Sequence, residues 1–317
     1  MKIVLLEPLN ISQEKLATYE AKLTAAGHNF TAYSTRASSD QELISRAKQA
    51  EILIIANQPI SKQVIYSCPD LKFISVAFTG FDHLPMEVCR KQDILVANAA
   101  GYADQSVAEL VFGLTISLLR KLSKSDQAVR NSQTRTGLIG QQLAGKKFGI
   151  IGFGKIGQKT AQLAGAFGCE LLVEDHKKID LADDLVVKYL SLADVMAKSD
   201  IISLHLPLNS STKGLIDAEK IALMKKDAIL INTARGAVVD NEALAQALNK
   251  DQIGGAGIDV FEMEPPIPAD HPLINAKNTI LTPHLAFATK AAFNERAEIV
   301  FNNINNWLAG EPENIVN

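Results

Sequence analysis

Short apolar runs alternate, almost from end to end, with stretches whose apolar positions recur every three or four residues. That alternation predicts parallel strands joined by helices. In the first hundred residues the pattern predicts strands at 2–6, 51–56, 71–76 and 94–97, with amphipathic helices over 12–26 and 40–49. A long helix follows over 104–122. Its apolar residues (Val107, Leu110, Val111, Leu114, Leu118) lie on more than one face, so it should be deeply buried or packed against a second subunit. A second strand series is expected at 148–151, 170–173, 201–205, 228–231, 256–260 and 279–281, and a final helix at 291–308. The two series imply an α/β fold of two Rossmann-like parallel-sheet domains with a cleft between them.

Composition sharpens this only by exclusion. At 317 residues the chain exceeds the size at which one core keeps growing, which favours two domains. It is 47% hydrophobic and 21% charged, with a net charge of −3 and no long charge blocks, so neither nucleic acid nor an anionic membrane is an expected partner. Cys68, Cys89 and Cys169 are far apart and read as free thiols of a reducing compartment. The apolar start MKIVLLEP is too short for a signal peptide and reads as a strand. No window approaches the ~18 apolar residues of a membrane span, so a cytoplasmic location is expected. No His, Cys and Asp residues have metal-ligand spacing, and no metal is expected.

The segment FGIIGFGKIGQ carries Gly152, Gly154 and Gly157 as G-x-G-x-x-G, directly after an apolar run and at the start of a helical pattern. The first glycine permits a tight turn, the second lets backbone approach a pyrophosphate, and the third lets helix and strand pack closely. Asp175 lies 18 residues past the third glycine, where the ribose-binding carboxylate of an NAD fold belongs. A carboxylate there repels a 2′-phosphate and favours NAD, although the adjacent His176, Lys177 and Lys178 could tolerate that phosphate.

Downstream, three residue types suit hydride transfer to a 2-keto acid. An arginine binds a carboxylate through its fork, a histidine exchanges a proton near neutral pH, and a carboxylate favours the imidazolium. Arg235, Glu264 and His284 each follow the predicted end of a different strand, the edge at which open α/β sheets bind ligands.

The runs NTARGAVVDNEAL, GIDVFEMEPP and TPHLAF, together with GFGKIG, resemble the D-isomer-specific 2-hydroxyacid dehydrogenases over nearly the whole chain. The resemblance implies Arg235 as the substrate-binding and polarising residue, Glu264 as the partner of the histidine, and His284 as acid/base. It implies an NAD domain at 99–284 inserted in a substrate domain made of 1–98 and 285–317. Phe78, Thr79 and Gly80 match the loop whose backbone amides hold the substrate carboxylate, and Tyr102 and Phe287 match further substrate contacts. Ser106, Lys155, Ile156, Leu206, Pro207, Thr212, Thr233, Ala234 and Asp259 match cofactor contacts. A homodimer is expected through the 104–122 helix.

Members of that family acting on phosphohydroxypyruvate carry an arginine where Val76 stands here, so a small uncharged substituent is expected on the substrate. Pyruvate, glyoxylate, hydroxypyruvate and branched 2-keto acids fit. Two alternatives share the scaffold: a formate dehydrogenase, which resembles this chain except for a glutamine in place of Glu264, and a non-catalytic NAD-sensing corepressor.

Overall fold

The computed structural model describes residues 1–179 and 185–317. The chain divides into two units, Met1–Ala103 with Ala288–Asn317, and Asp104–Phe287. The sequence reading puts these divisions after residues 98 and 284.

The first unit opens with β1 (Lys2–Leu5), α1 (Gln13–Ala25), β2 (Asn29–Ala32), α2 (Asp40–Ala47), β3 (Ile52–Ile55), α3 (Lys62–Tyr66), β4 (Phe73–Val76), α4 (Met86–Lys91) and β5 (Leu95–Ala97). The strands form one parallel sheet in the order β2-β1-β3-β4-β5. Every residue of β3 and β4 is buried, because both faces of the sheet are covered; hence the unbroken apolar run of β3 and the single polar residue, Ser75, in β4. The strand β2 escapes the sequence reading: it is an edge strand in which only Phe30 is buried. The five- and six-residue helices α3 and α4 are too short to show a period and were likewise not expected. Ser12 and Ser39 cap α1 and α2 by accepting from the amides of Lys15 and Glu42, each cap being worth about 1 kcal/mol.

The strand order reverses between β1 and β3, and Glu7 sits just beyond β1. Its buried carboxylate accepts from the Ala56 and Gln58 amides at 2.8 and 2.9 Å and from Arg36 Nε at 2.8 Å. The loop after β3 is thereby tied to the end of β1.

The second unit contains α5 (Asp104–Leu119), α6 (Leu122–Arg130), β6 (Lys147–Ile151), α7 (Lys155–Ala166), β7 (Glu170–Glu174), β8 (Val187–Tyr189), α8 (Leu192–Lys198), β9 (Ile201–Leu204), α9 (Ala218–Ala222), β10 (Ile229–Asn232), α10 (Asn241–Asn249), β11 (Gly255–Ile258) and β12 (Thr279–Leu281). Its parallel sheet runs β12-β11-β10-β9-β6-β7-β8, reversing between β6 and β9. The edge strand β8, with no fully buried residue, was not expected either.

The helix expected over 104–122 stops at Leu119. Lys121 turns left-handed (φ 54°), and α6 starts afresh. The cause is tertiary: the Gln141 amide takes the Leu119 carbonyl at 2.9 Å, and Gly140 lies so close that a Cβ there would come within 2.4 Å of the same oxygen.

The chain then returns to the first unit with α11 (Lys290–Leu308), capped by Thr289. Phe301 stacks on Tyr19 at 4.1 Å and Trp307 on Phe73 at 5.1 Å. The last residues cover the outer edge of β5 through an antiparallel bridge between Ala97 and Ile315. Among the described residues no helix is long and apolar enough to cross a membrane.

Glu7→Ala strands two buried amides and should cost about 2 kcal/mol, read as a lowered midpoint in thermal or urea unfolding. A midpoint equal to that of the parent protein would show that the loop after β3 does not depend on this carboxylate.

Candidate active site

The three motif glycines do different physical work. Gly152 has φ 90°, and a Cβ there would lie 2.5 Å from the His205 carbonyl oxygen. Gly157 backs onto the turn itself, so its Cβ would fall 2.2 Å from the Gly152 oxygen. At Gly154, the N-cap of α7, nothing lies within 4 Å of a Cβ. No side chain caps this helix, so the first-turn amides at Lys155 and Ile156 and the positive end of the helix dipole face that open space. This is the arrangement a pyrophosphate requires.

Asp175, just past β7, accepts from the Phe153 amide at 2.6 Å and from the Lys177 amide at 2.9 Å, and its carboxylate lies 3.1 Å from the His176 ring. The acid expected to bind ribose therefore also ties the glycine-rich turn to the neighbouring strand.

Across the strand reversal, Leu206, Pro207 and Thr212 form the loop after β9. The Thr212 hydroxyl donates to the Pro207 carbonyl at 2.6 Å and accepts from the Asn209 amide at 2.9 Å. His205 lies within 2.9 Å of Ser203 Oγ through Nε2, and desolvation pushes its ring down to about 3 although the residue keeps some accessible surface. Burial thus favours its neutral form. The reversal point of a parallel sheet, with an uncapped helix N-terminus and a nearby carboxylate, fits a dinucleotide.

Arg235, Glu264 and His284 stand on the loops after β10, β11 and β12, three neighbouring strands at one edge of the sheet. The buried Asn232 brackets the first loop, donating to the Arg235 carbonyl at 3.0 Å and accepting from the Ala234 amide at 3.0 Å. Thr233 is buried beside it, and Arg235 Nη1 donates to the Ala234 carbonyl at 2.8 Å. Gly236 presses on the backbone of Phe261, where a Cβ would come within 1.9 Å of the carbonyl carbon.

His284 Nδ1 lies 2.9 Å from both oxygens of Glu264. A carboxylate only accepts, so Nδ1 carries the hydrogen. The Phe287 ring meets the imidazole edge-on at 5.2 Å. His284 has φ 55°, a left-handed conformation rare outside glycine. Asp259 holds it there: its carbonyl accepts from the His284 amide, and its fully buried carboxylate accepts from Thr282 Oγ1 and the amides of Leu285 and Ala286.

A second histidine–carboxylate pair, 3.0 Å between His271 Nε2 and Glu262, closes the loop that presents Glu264. The pair lowers the Glu262 carboxyl against the opposing, larger effect of its own desolvation.

In the first unit, Phe78, Thr79 and Gly80 follow β4, and the Phe78 ring lies 6.2 Å from that of Tyr102. The buried Arg296 on α11, missed in the sequence reading, stands 5.7 Å over the Tyr102 ring and donates to the Leu9 carbonyl at 2.7 Å. Ser106 is buried in the first turn of α5. Among the described residues no group of three His, Cys, Asp or Glu side chains could hold a metal ion, and all three cysteines are free.

A glycine-rich turn at a sheet reversal, with a histidine–carboxylate pair and an arginine on the same sheet edge, defines a dinucleotide-dependent dehydrogenase of the α/β class. The model of the D-isomer specific 2-hydroxyacid dehydrogenase NAD-binding domain matches residues 112–286. A hydroxypyruvate reductase of Blautia hydrogenotrophica is 33% identical over 304 residues, 93% of this chain and 94% of that one. Among solved structures, an acyclic imino acid reductase in complex with NADPH and D-Arg aligns over 100% of both chains at a TM-score of 0.91 and 30% identity. The D-lactate dehydrogenase of Aquifex aeolicus, complexed with NAD and lactic acid, covers 100% of this chain and 99% of its own at 0.86 and 30%. The chain belongs to the D-isomer specific 2-hydroxyacid dehydrogenase family. It is an NAD-dependent oxidoreductase acting on CH–OH groups.

The two glycines should separate under mutation. Gly154→Ala should leave thermal stability unchanged while weakening NADH binding about tenfold, or ~1.4 kcal/mol, by fluorescence titration. Gly157→Val should instead destabilise the fold by about 2 kcal/mol. Equal effects of the two on stability would contradict the division of labour.

Proposed function

We propose that this protein reduces a small, uncharged 2-keto acid to its D-2-hydroxy acid, with His284 as the proton donor, Glu264 as the partner of its imidazolium, and Arg235 binding and polarising the substrate. The observation that carries this reading is the pair of 2.9 Å contacts between His284 Nδ1 and Glu264. Bound NADH supplies the hydride.

The chain's own residues handle the rest. Arg235 neutralises the substrate carboxylate and draws charge from the carbonyl. As the imidazolium, whose charge Glu264 balances, His284 gives its Nε2 proton to the carbonyl oxygen and is left neutral. In the same proposal the Phe78–Gly80 loop binds the substrate carboxylate, Tyr102 and Phe287 contact the substrate, Ser106 meets the nicotinamide side of the cofactor, and Thr233, Ala234 and Asp259 are further cofactor contacts. The Lys155–Ile156 turn takes the pyrophosphate, Asp175 the ribose, and the Leu206–Thr212 loop the remaining cofactor surface.

An uncharged substituent follows from Val76. It is fully buried in β4, at the position where a phosphate-reading member carries arginine. Pyruvate, glyoxylate, hydroxypyruvate and branched 2-keto acids are the proposed substrates. Glu264 argues against formate oxidation, which has no hydroxyl proton to manage.

His284→Gln should lower kcat for reduction about a thousandfold while leaving NADH binding intact. Glu264→Gln should move the pH profile of reduction toward acid, because the imidazolium loses its charge partner. Parallel loss of NADH affinity in His284→Gln would make this histidine a cofactor residue. In a panel of 2-oxo acids with NADH, phosphohydroxypyruvate outpacing pyruvate and hydroxypyruvate would overturn the substrate class, and formate-dependent NAD reduction would overturn the reaction.

Leu122, Val129 and Ile139, just beyond α5, are large apolar residues exposed by 48%, 75% and 84%. The proposed cover is a second copy of the chain, in a cytoplasmic homodimer. Sedimentation should then give twice the 34.3 kDa chain mass, and Val129→Asp should shift it toward monomer. A parent protein that sediments as a monomer at micromolar concentration would refute the assembly.

A further inference from the structure

The loop after β4 is held by its carbonyls. The Ala99 amide donates to the Phe78 carbonyl at 3.1 Å, and Asn98 Nδ2 donates to the Thr79 carbonyl at 2.7 Å. Both peptide bonds are trans; among the described residues the cis bond is Pro265–Pro266. In a trans peptide the N–H points opposite to the C=O. Pulling the Phe78 and Thr79 oxygens onto the 98–99 segment therefore turns the amides of Thr79 and Gly80 the other way, side by side. Thr79 and Gly80 are themselves partly exposed. Two adjacent amides facing one direction form a cradle for a carboxylate.

We infer that Asn98 is a positioning residue for substrate binding, aiming the Gly80 amide at the substrate carboxylate. The inference rests on the reading of this loop proposed above.

Asn98 has no freedom to rotate away. Its amide donates to the Asn314 carbonyl at 3.1 Å, and its carbonyl accepts from Asn303 Nδ2 at 2.9 Å. Its Oδ1 accepts from the Ala100 amide at 3.3 Å, which fixes the side-chain amide with Nδ2 toward Thr79. Asn303 is fully buried and is gripped in turn by Asn314 Nδ2 at 2.8 Å. Every hydrogen-bonding group of Asn98 is thus engaged, so its one bond to the loop is delivered by a rigid support. A hydrophobic residue of similar size could fill the space. It could not set the direction of the peptide.

The decisive variant is Asn98→Asp, which keeps shape and the acceptor for Ala100 but replaces the donor with a carboxylate facing the Thr79 carbonyl. Protonation restores a donor, so the defect should be reversible by acid. Binding of oxamate, a pyruvate isostere, to the NADH complex is read by fluorescence quenching. The variant should bind oxamate about tenfold more weakly than the parent at about pH 8, and the ratio should close toward one at about pH 6. NADH affinity should be unchanged. Asn98→Ser, with a hydroxyl too short to reach, should show the defect at both pH values and keeps the test alive if the aspartate variant does not fold.

A ratio near one throughout, or a loss of NADH affinity in step with oxamate affinity, would overturn the positioning role. A parent protein that neither binds oxamate nor reduces any 2-keto acid would overturn the functional reading and this inference with it.

Discussion

The carboxylate of Asp259 is completely buried, and everything that places His284 depends on it. A charge taken out of water is expensive unless its lone pairs are met. Here three donors meet them, Thr282 Oγ1 and the amides of Leu285 and Ala286, and all three belong to the loop that carries the imidazole. The Asp259 carbonyl adds a fourth bond, to the His284 amide at 2.8 Å. The left-handed backbone at His284 costs about 1 kcal/mol by itself. Four bonds to one buried residue offset that cost easily. Loop and carboxylate are therefore interdependent: the acid can stay buried only when the loop is closed over it, and the loop keeps its strained turn only because the acid is there.

The same device recurs at several strand ends in both units. Glu7 ties the loop after β3, Asn98 the loop after β4, Asp175 the glycine-rich turn and Asn232 the loop that bears Arg235. Parallel sheets covered on both faces confine chemistry to their carboxyl edge. At that edge the ladder of backbone hydrogen bonds ends, and the next amides and carbonyls need partners. Short polar side chains at or just past strand ends supply them, which fixes the loops firmly enough to hold reacting groups.

This explains what could be read from the sequence. Strands β3, β4, β9 and β10 announce themselves because burial of both faces leaves at most one polar residue, Ser75, Ser203 or Asn232, in each apolar run. The edge strands β2 and β8 have one wet side and too few residues to alternate visibly. The glycine motif is legible because its geometry is local, within six residues. The end of α5 is not, because Gln141, more than twenty residues on, captures the Leu119 carbonyl. The pairing of Glu264 with His284 lies between these cases: each residue type is suggestive alone, yet their meeting depends on the order of β11 and β12 in the sheet. Asn98 and Asn232 carry no sequence signal, since an asparagine near a strand end reads as an ordinary turn residue.

Two histidine–glutamate pairs stand on neighbouring loops, and the nitrogen that meets the carboxylate tells them apart. In His271 the carboxylate of Glu262 takes Nε2–H, while Nδ1 accepts from the Leu273 amide at 3.3 Å. Both ring nitrogens are committed to the loop, and adding a proton would set N–H against N–H. That histidine is a strut. In His284 the carboxylate takes Nδ1–H, from the opposite side of the ring. Glu264 is half exposed in this structure, and a pair in such surroundings is worth only about 0.2–1 kcal/mol. Its attraction grows as water is removed. Contact between Glu264 and the His284 ring is thus held most loosely where water has access and more firmly where water is excluded.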